Sequence, residues 1–173
     1  MQALSTRKTR RRRGLIRWKR FHHLGMGVEY PEKVRWKCVR CTMCCQDTSM
    51  RKRCIRLLDE EISGIRAETG LKAEDFSIPF THSPPYTHEM RKLDGRCVFL
   101  KDGLCSIYDA RPITCVFYPF FLNRIDQELY RFELTPEKCV GLGIGHEVSE
   151  KQFVRLFNLA TRRLKSEDDT EGT

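Results

Sequence analysis

Cys38, Cys41, Cys44 and Cys45 crowd four thiols into eight residues as a C-x2-C-x2-C-C run. The first three stand at equal spacing, so one tight turn brings their sulfurs within reach of a single point. Disulfides do not form easily at that spacing, and packing alone does not call for four thiols there. Thiolates so placed bind soft metals: they hold zinc in tetrahedral sites and the irons of iron–sulfur clusters. Adjacent side chains diverge, so Cys45 is a fourth ligand, a ligand of a second centre, or a thiol flanking the site. Cys97, Cys105, Cys115 and Cys139 add four more thiols, which makes eight candidate metal ligands. Cys54, the ninth cysteine, lies in a strand-like stretch outside the run and reads as a small core residue. Three cysteines at C-x2-C-x2-C with a distant fourth is how many [4Fe-4S] clusters are held. Zinc sites more often use two C-x2-C pairs, and the second half of the chain has none. An iron–sulfur cluster is therefore the favoured cofactor and zinc the alternative, in one centre or two.

Other chemistry is harder to find. His22 and His23 sit in a basic segment, His82 and His88 lie among prolines, and only His146 stands near a candidate ligand. Asp59, Glu60 and Glu61 read as charges at a helix start, where the helix dipole favours them, not as an acid–base pair. Gly141, Gly143 and Gly145 have no strand before them, so they read as glycines that let backbone approach the Cys139 site. No nucleophile elbow, Walker phosphate loop or H-E-x-x-H zinc helix occurs, and no catalytic residue is assigned.

The elements that must position these thiols follow from pattern. The 173 residues fit one domain with room for a real core. The expected fold is α+β: short hairpins and a few helices around the cysteine site. Residues 1–30 are expected as a basic, disordered arm and linker, on the evidence of Gly25, Gly27 and Pro31. A cysteine-cluster domain over 31–146 follows, then an amphipathic helix over 147–166 and a loose acidic tail over 167–173. Within the domain, Val34 and Trp36 belong to a strand that delivers Cys38, and residues 54–58 form another. Asp59 caps a helix that ends at Gly70. Residues 77–95 are irregular because of Pro79, Pro84, Pro85 and Gly95. Residues 96–100 and 104–108 make a hairpin about Lys101-Asp102-Gly103, with Cys97 and Cys105 on its arms. A short helix between Pro112 and Pro119 carries Cys115, and a second hairpin runs over 120–125 and 129–134.

Charge is divided sharply. Residues 1–40 hold 13 Lys or Arg against Glu29 and Glu32, a balance of +11, while the remaining 133 residues balance at −2. The basic arm, with Trp18 and Phe21 for stacking, suits contact with nucleic acid or an anionic surface. No apolar run is long enough to span a bilayer, and Arg10–Arg13 occupy the place of a secretory signal's apolar stretch. A cytoplasmic location is expected, where thiols stay reduced.

The motifs together resemble one family. Cys38-Val39-Arg40-Cys41-Thr42-Met43-Cys44-Cys45 is followed by Cys97-Val98-Phe99-Leu100 and Cys105-Ser106-Ile107-Tyr108. Then come Arg111-Pro112 with Cys115, Tyr118-Pro119-Phe120, and Cys139 with Gly141. Over about residues 36–145 this pattern resembles the CxxCxxCC zinc- or iron-chelating proteins, the YkgJ-type cysteine-cluster family. The resemblance implies metal binding through the cysteines. A similar module occurs in flagellin lysine N-methylases, which use S-adenosylmethionine and are considerably longer; this chain has no recognisable nucleotide-binding loop. The expected function is a redox or maturation factor that serves a protein client. The alternatives are a modifying enzyme related to the methylases and a zinc-stabilised module that binds nucleic acid or protein.

Overall fold

A computed structural model describes residues 16–49, 51–135 and 139–164. It opens with a hairpin of β1 (Trp18–His23) and β2 (Met26–Pro31). Gly25, Gly27 and Pro31, expected as a linker, belong to this hairpin. Gly25 takes the left-handed turn position at φ 76°, and strand alternation turns Phe21, Val28 and Tyr30 into the core. Of the arm and linker expected over residues 1–30, residues 1–15 lie outside the described residues, and most of the rest forms this hairpin. β3 (Arg35–Trp36) leads into the cysteine run, which ends in a 3₁₀ turn at Met43–Cys45.

β4 (Arg56–Leu57) precedes α1 (Asp59–Thr69). Asp59 is the first helical residue and not the cap: Leu58 holds that position, and its N–H donates to Glu61 Oε2 at 3.1 Å. After α2 (Ala73–Phe76), β5 (Ser77–Ser83) and β6 (Tyr86–Met90) form a hairpin where the prolines pointed to irregular chain. The strand order β4-β6-β5 explains it, because Pro79 lies on an edge strand and Pro84 and Pro85 make the turn.

β7 (Lys92–Leu93) and β8 (Arg96–Cys97) pair about Asp94-Gly95, and β9 (Leu100–Lys101) and β10 (Leu104–Cys105) about Asp102-Gly103. Residues 96–108 are thus not one ribbon: Cys97 lies across from Lys92, and Cys105 across from Leu100. Asp-Gly with positive φ at both positions makes the preferred two-residue turn, and its presence twice yields two small hairpins. α3 (Ile113–Phe117), the hairpin of β11 (Phe120–Arg124) and β12 (Leu129–Leu134), β13 (Leu142–Glu147) and α4 (Glu150–Arg163) complete the described chain.

The fold is α+β, as expected, with two apolar clusters. The larger sheet has the order β1-β2-β12-β11, with β2 and β12 parallel and the other neighbours antiparallel. α4 covers it by placing Phe153, Phe157 and Ala160 on one face, where Phe153 stacks on Tyr30 with centroids 4.8 Å apart. The second cluster gathers Ile55, Leu57, Ile62, Ile65, Phe76, Met90, Phe99 and Ile107, and Cys97 is part of it. Each such side chain contributes about 1.5–3 kcal/mol by leaving water. Among the described residues, no helix is long and apolar enough to cross a membrane.

Candidate metal centre

The cysteine run turns back on itself because two of its non-glycine residues adopt left-handed backbone. Arg40 (φ 53°) and Thr42 (φ 62°) alternate with Cys41, and the Cys45 N–H closes the turn onto the Thr42 carbonyl at 2.7 Å. Each left-handed residue costs about 1–2 kcal/mol, which the surrounding structure must offset. The result is that Cys38, Cys41, Cys44 and Cys45 face one cavity of about 450 Å³ together with Cys105 and Cys139. Trp36, Leu100, Leu104 and Tyr108 give it mainly apolar walls.

Cys105 arrives on its two-residue hairpin. Cys139 arrives through a close backbone crossing in which the Lys37 N–H donates to the Gly141 carbonyl at 3.1 Å. A β-carbon at Gly141 would run into the Lys37 carbonyl oxygen, and one at Gly145 would lie 2.8 Å from the Lys37 β-carbon. The expectation that the glycines permit close approach beside Cys139 therefore holds for Gly141 and Gly145 but not for Gly143, which has open space around it, and β13 pairs with β3 there. The two remaining candidates do not line the cavity. Cys97 is buried in the second apolar cluster, and Cys115 packs against that cluster from α3. Both still lie within electrostatic reach of Cys44 and Cys105. Cys44 is the hub, with its sulfur 3.7 Å from that of Cys45. Among the described residues, no three His, Cys, Asp or Glu side chains stand at the mutual spacing of a closed metal site. The thiols share a cavity without converging on one point.

Three residues not assigned to the site from the sequence hold this arrangement, although one of them, Glu61, is a charge at a helix start as expected. Arg53 Nε donates to the Cys44 carbonyl at 3.1 Å and its Nη2 to the Thr114 carbonyl at 3.2 Å, which ties the cysteine loop to α3 beside Cys115. Glu61, 4% exposed, accepts the Ile113 N–H at 2.6 Å and Arg163 Nη1 at 3.2 Å, and so anchors the start of α3. Asp47 accepts the Arg53 backbone N–H and Lys92 Nζ, each at 2.7 Å, and so links the cysteine loop to the strand facing Cys97. These contacts join distant parts of the chain, so only tertiary structure reveals them.

Electrostatics keep the inner thiols protonated. Burial pushes Cys115 up to about 12 and raises Cys97 and Cys105, while Cys44 is raised first by its hydrogen bond with Cys45 and then by burial. Arg53 opposes this at Cys44 and Cys115, since its positive charge favours the thiolate. A soft cation that displaces the protons supplies the same help more strongly. The donor chemistry fits a metal–sulfur group, and so does a second observation. Trp36 Nε1 is the one buried side-chain N or O atom without a hydrogen-bond partner among the described residues, and Trp36 lines the cysteine cavity. A thiolate or inorganic sulfide is an acceptor for that N–H.

Other candidates fall away from the site. Cys54 is exposed, not a core residue, because alternation turns Ile55 and Leu57 inward and Cys54 outward. It lies outside the cysteine cavity, and so does the exposed His146.

Comparison with known proteins adds one finding. A family model named CxxCxxCC and described as "Putative zinc- or iron-chelating domain" matches residues 37–140. Searches of the curated proteins and of the solved structures find nothing that matches. The matched segment covers more than half of the chain, and the chain belongs to this family.

Proposed function

We propose that, as a CxxCxxCC family member, this chain holds an iron–sulfur cluster in its cysteine cavity and works as a redox or cluster-maturation factor in a reducing cytoplasm. The observation that carries this reading is the cavity itself, where six thiols and no histidine face one space with apolar walls. A single four-coordinate zinc ion needs neither so many thiols nor so much room. Soft thiolate donors suit iron–sulfur chemistry, and hydrogen bonds to sulfur together with burial are the levers that set a cluster's potential.

Cys38, Cys41 and Cys44 are the first ligands in this reading, with the fourth drawn from Cys45, Cys105 and Cys139. Cys97 and Cys115, within electrostatic reach of Cys44, bring the thiols to the eight that two four-thiolate centres would use. Trp36 donates its indole N–H toward sulfur, and Leu100, Leu104 and Tyr108 supply apolar wall. Arg53 favours the ionised form of Cys44. When bound, such a cluster supplies one-electron transfer or is itself the cargo handed to a client protein.

Anaerobic purification with iron, sulfide and zinc analysis and visible absorption tests the reading. Brown protein with iron and sulfide in equal amounts, bleached by reductant, is the expected result. Colourless protein that carries stoichiometric zinc and is inert to reductant overturns it and makes the site a source of folding energy.

A further inference from the structure

A second cleft, of about 480 Å³, shares Tyr118 with the cysteine cavity and has a different chemistry. Arg51, Lys52, Arg53 and Arg56 line it, and no Asp or Glu is among its described lining residues. Its apolar surface comes from Ile113, Phe117, Phe120 and Leu122. Two of the cations are held in place by aromatic rings. The Arg53 guanidinium lies 5.2 Å from the Tyr118 centroid, and that of Arg56 lies 5.9 Å from the Tyr86 centroid and 5.1 Å from that of Phe80. Arg56 donates to Ser83 Oγ at 3.1 Å and has no carboxylate partner among the described residues, and Lys52 is exposed.

Clustered cations in a concave wall draw anions, and several together suit a ligand with more than one negative charge. Guanidinium forks match phosphate oxygens, and cation–π contact with the rings restrains them before a ligand arrives, which lowers the entropic cost of binding. The apolar and aromatic floor has no use for a bare anion; it suits a flat ring. The volume is that of a small-ligand site.

We propose that this cleft binds a nucleoside phosphate, with its phosphates on Lys52 and Arg56 and its base on the aromatic floor. Arg53 ties this cleft to the cysteine loop, since the same guanidinium bonds the Cys44 and Thr114 carbonyls. The proposal stands whichever metal the cysteines hold.

Isothermal titration of the metal-loaded protein with ADP, adenosine and inorganic pyrophosphate, at physiological ionic strength, tests it. ADP is expected to bind saturably and at least tenfold more tightly than either fragment. Lys52→Gln and Arg56→Gln are each expected to weaken ADP about tenfold, one charge-assisted hydrogen bond's share. Lys52 is exposed, so its variant reports on binding even if Arg56→Gln alters folding, which thermal unfolding would reveal. No saturable ADP binding overturns the proposal, as does ADP affinity that Lys52→Gln leaves unchanged. Pyrophosphate binding as tightly as ADP removes the ring site, and loss of ADP binding on deleting residues 1–15 moves the site to the basic arm.

Discussion

Replacing Glu61 with Ala should loosen the support behind Cys115, and the cost can be worked from the contacts. Two buried backbone donors point at this carboxylate, Leu58 N–H at 3.1 Å and Ile113 N–H at 2.6 Å. Their residues are 4% and 1% exposed, so bulk water does not reach the two donors. A stranded buried donor costs about 1–3 kcal/mol, and two give about 2–6 kcal/mol. Arg163 adds little, because it is partly exposed and retains Glu60 at 2.6 Å. Relief of a buried charge offsets part of the loss, so about 2–4 kcal/mol is expected, a large share of a typical domain's stability. Glu61→Gln keeps one carbonyl oxygen for one of the two donors and should cost about half as much. Urea unfolding at fixed metal load, with a common slope for all variants, measures both. The pH dependence has a defined sign. Burial is the largest influence on Glu61 and raises its carboxyl above the ordinary range. The folded state therefore holds this proton more tightly than the unfolded chain does. The associated stability is full below the ordinary glutamate value and is lost as pH rises through the raised one. Wild type should lose stability relative to Glu61→Gln over that interval, and the difference should level off above it. A cost for Glu61→Ala below about 1 kcal/mol, or equal costs for the Ala and Gln variants, would refute the reasoning.

Four further outcomes are expected. Cys41→Ser should abolish most metal binding, whereas Cys54→Ser should leave metal content unchanged by elemental analysis, since Cys54 lies outside the cysteine cavity. Trp36→Phe retains the ring that packs edge-on against Phe120 at 6.2 Å but removes the orphan N–H. If that N–H serves a cluster sulfur, protein-film voltammetry should find the potential lower by about 20–60 mV, one hydrogen bond's worth for a one-electron couple. Gly141→Ala forces a β-carbon against the Lys37 carbonyl and should cost about 1–3 kcal/mol in chemical denaturation, with weaker metal binding because Cys38 and Cys139 lose their crossing. Deletion of residues 1–15, which spares the core residue Phe21, should reduce salt-sensitive binding to a generic polynucleotide; unchanged affinity would leave the arm without that role.

The cysteine run and α4 were legible because each rests on local spacing: a repeat of thiols in one case, Phe153, Phe157 and Ala160 on one helical face in the other. Local turn chemistry likewise announced β11–β12 and the ends of α3. The β1–β2 hairpin was hidden by its outward side chains. Lys19, Arg20 and His22 are exposed around the single buried Phe21, so composition resembles a tail while alternation builds a strand. The β5–β6 hairpin was hidden by prolines that are harmless only on an edge, and edge status is a tertiary fact. Cys97 and Cys105 were legible as candidates but not as members of separate hairpins. Arg53 to Thr114, Glu61 to Ile113 and Asp47 to Lys92 act across gaps in sequence that no local pattern spans.

The parallel pairing of β2 with β12 has a consequence for how the molecule is made. Strands β1 and β2 precede the family-matched segment and α4 follows it, yet both flanks share one apolar cluster. The matched segment by itself leaves the β11–β12 hairpin without a neighbouring strand or a covering helix. During synthesis β2 waits about a hundred residues for its partner, and every cysteine is made before α4. Contacts so distant in sequence form slowly. For that interval the thiols belong to an unfinished chain, open to oxidants and to whatever delivers metal, and α4, made after them, fastens the clasp.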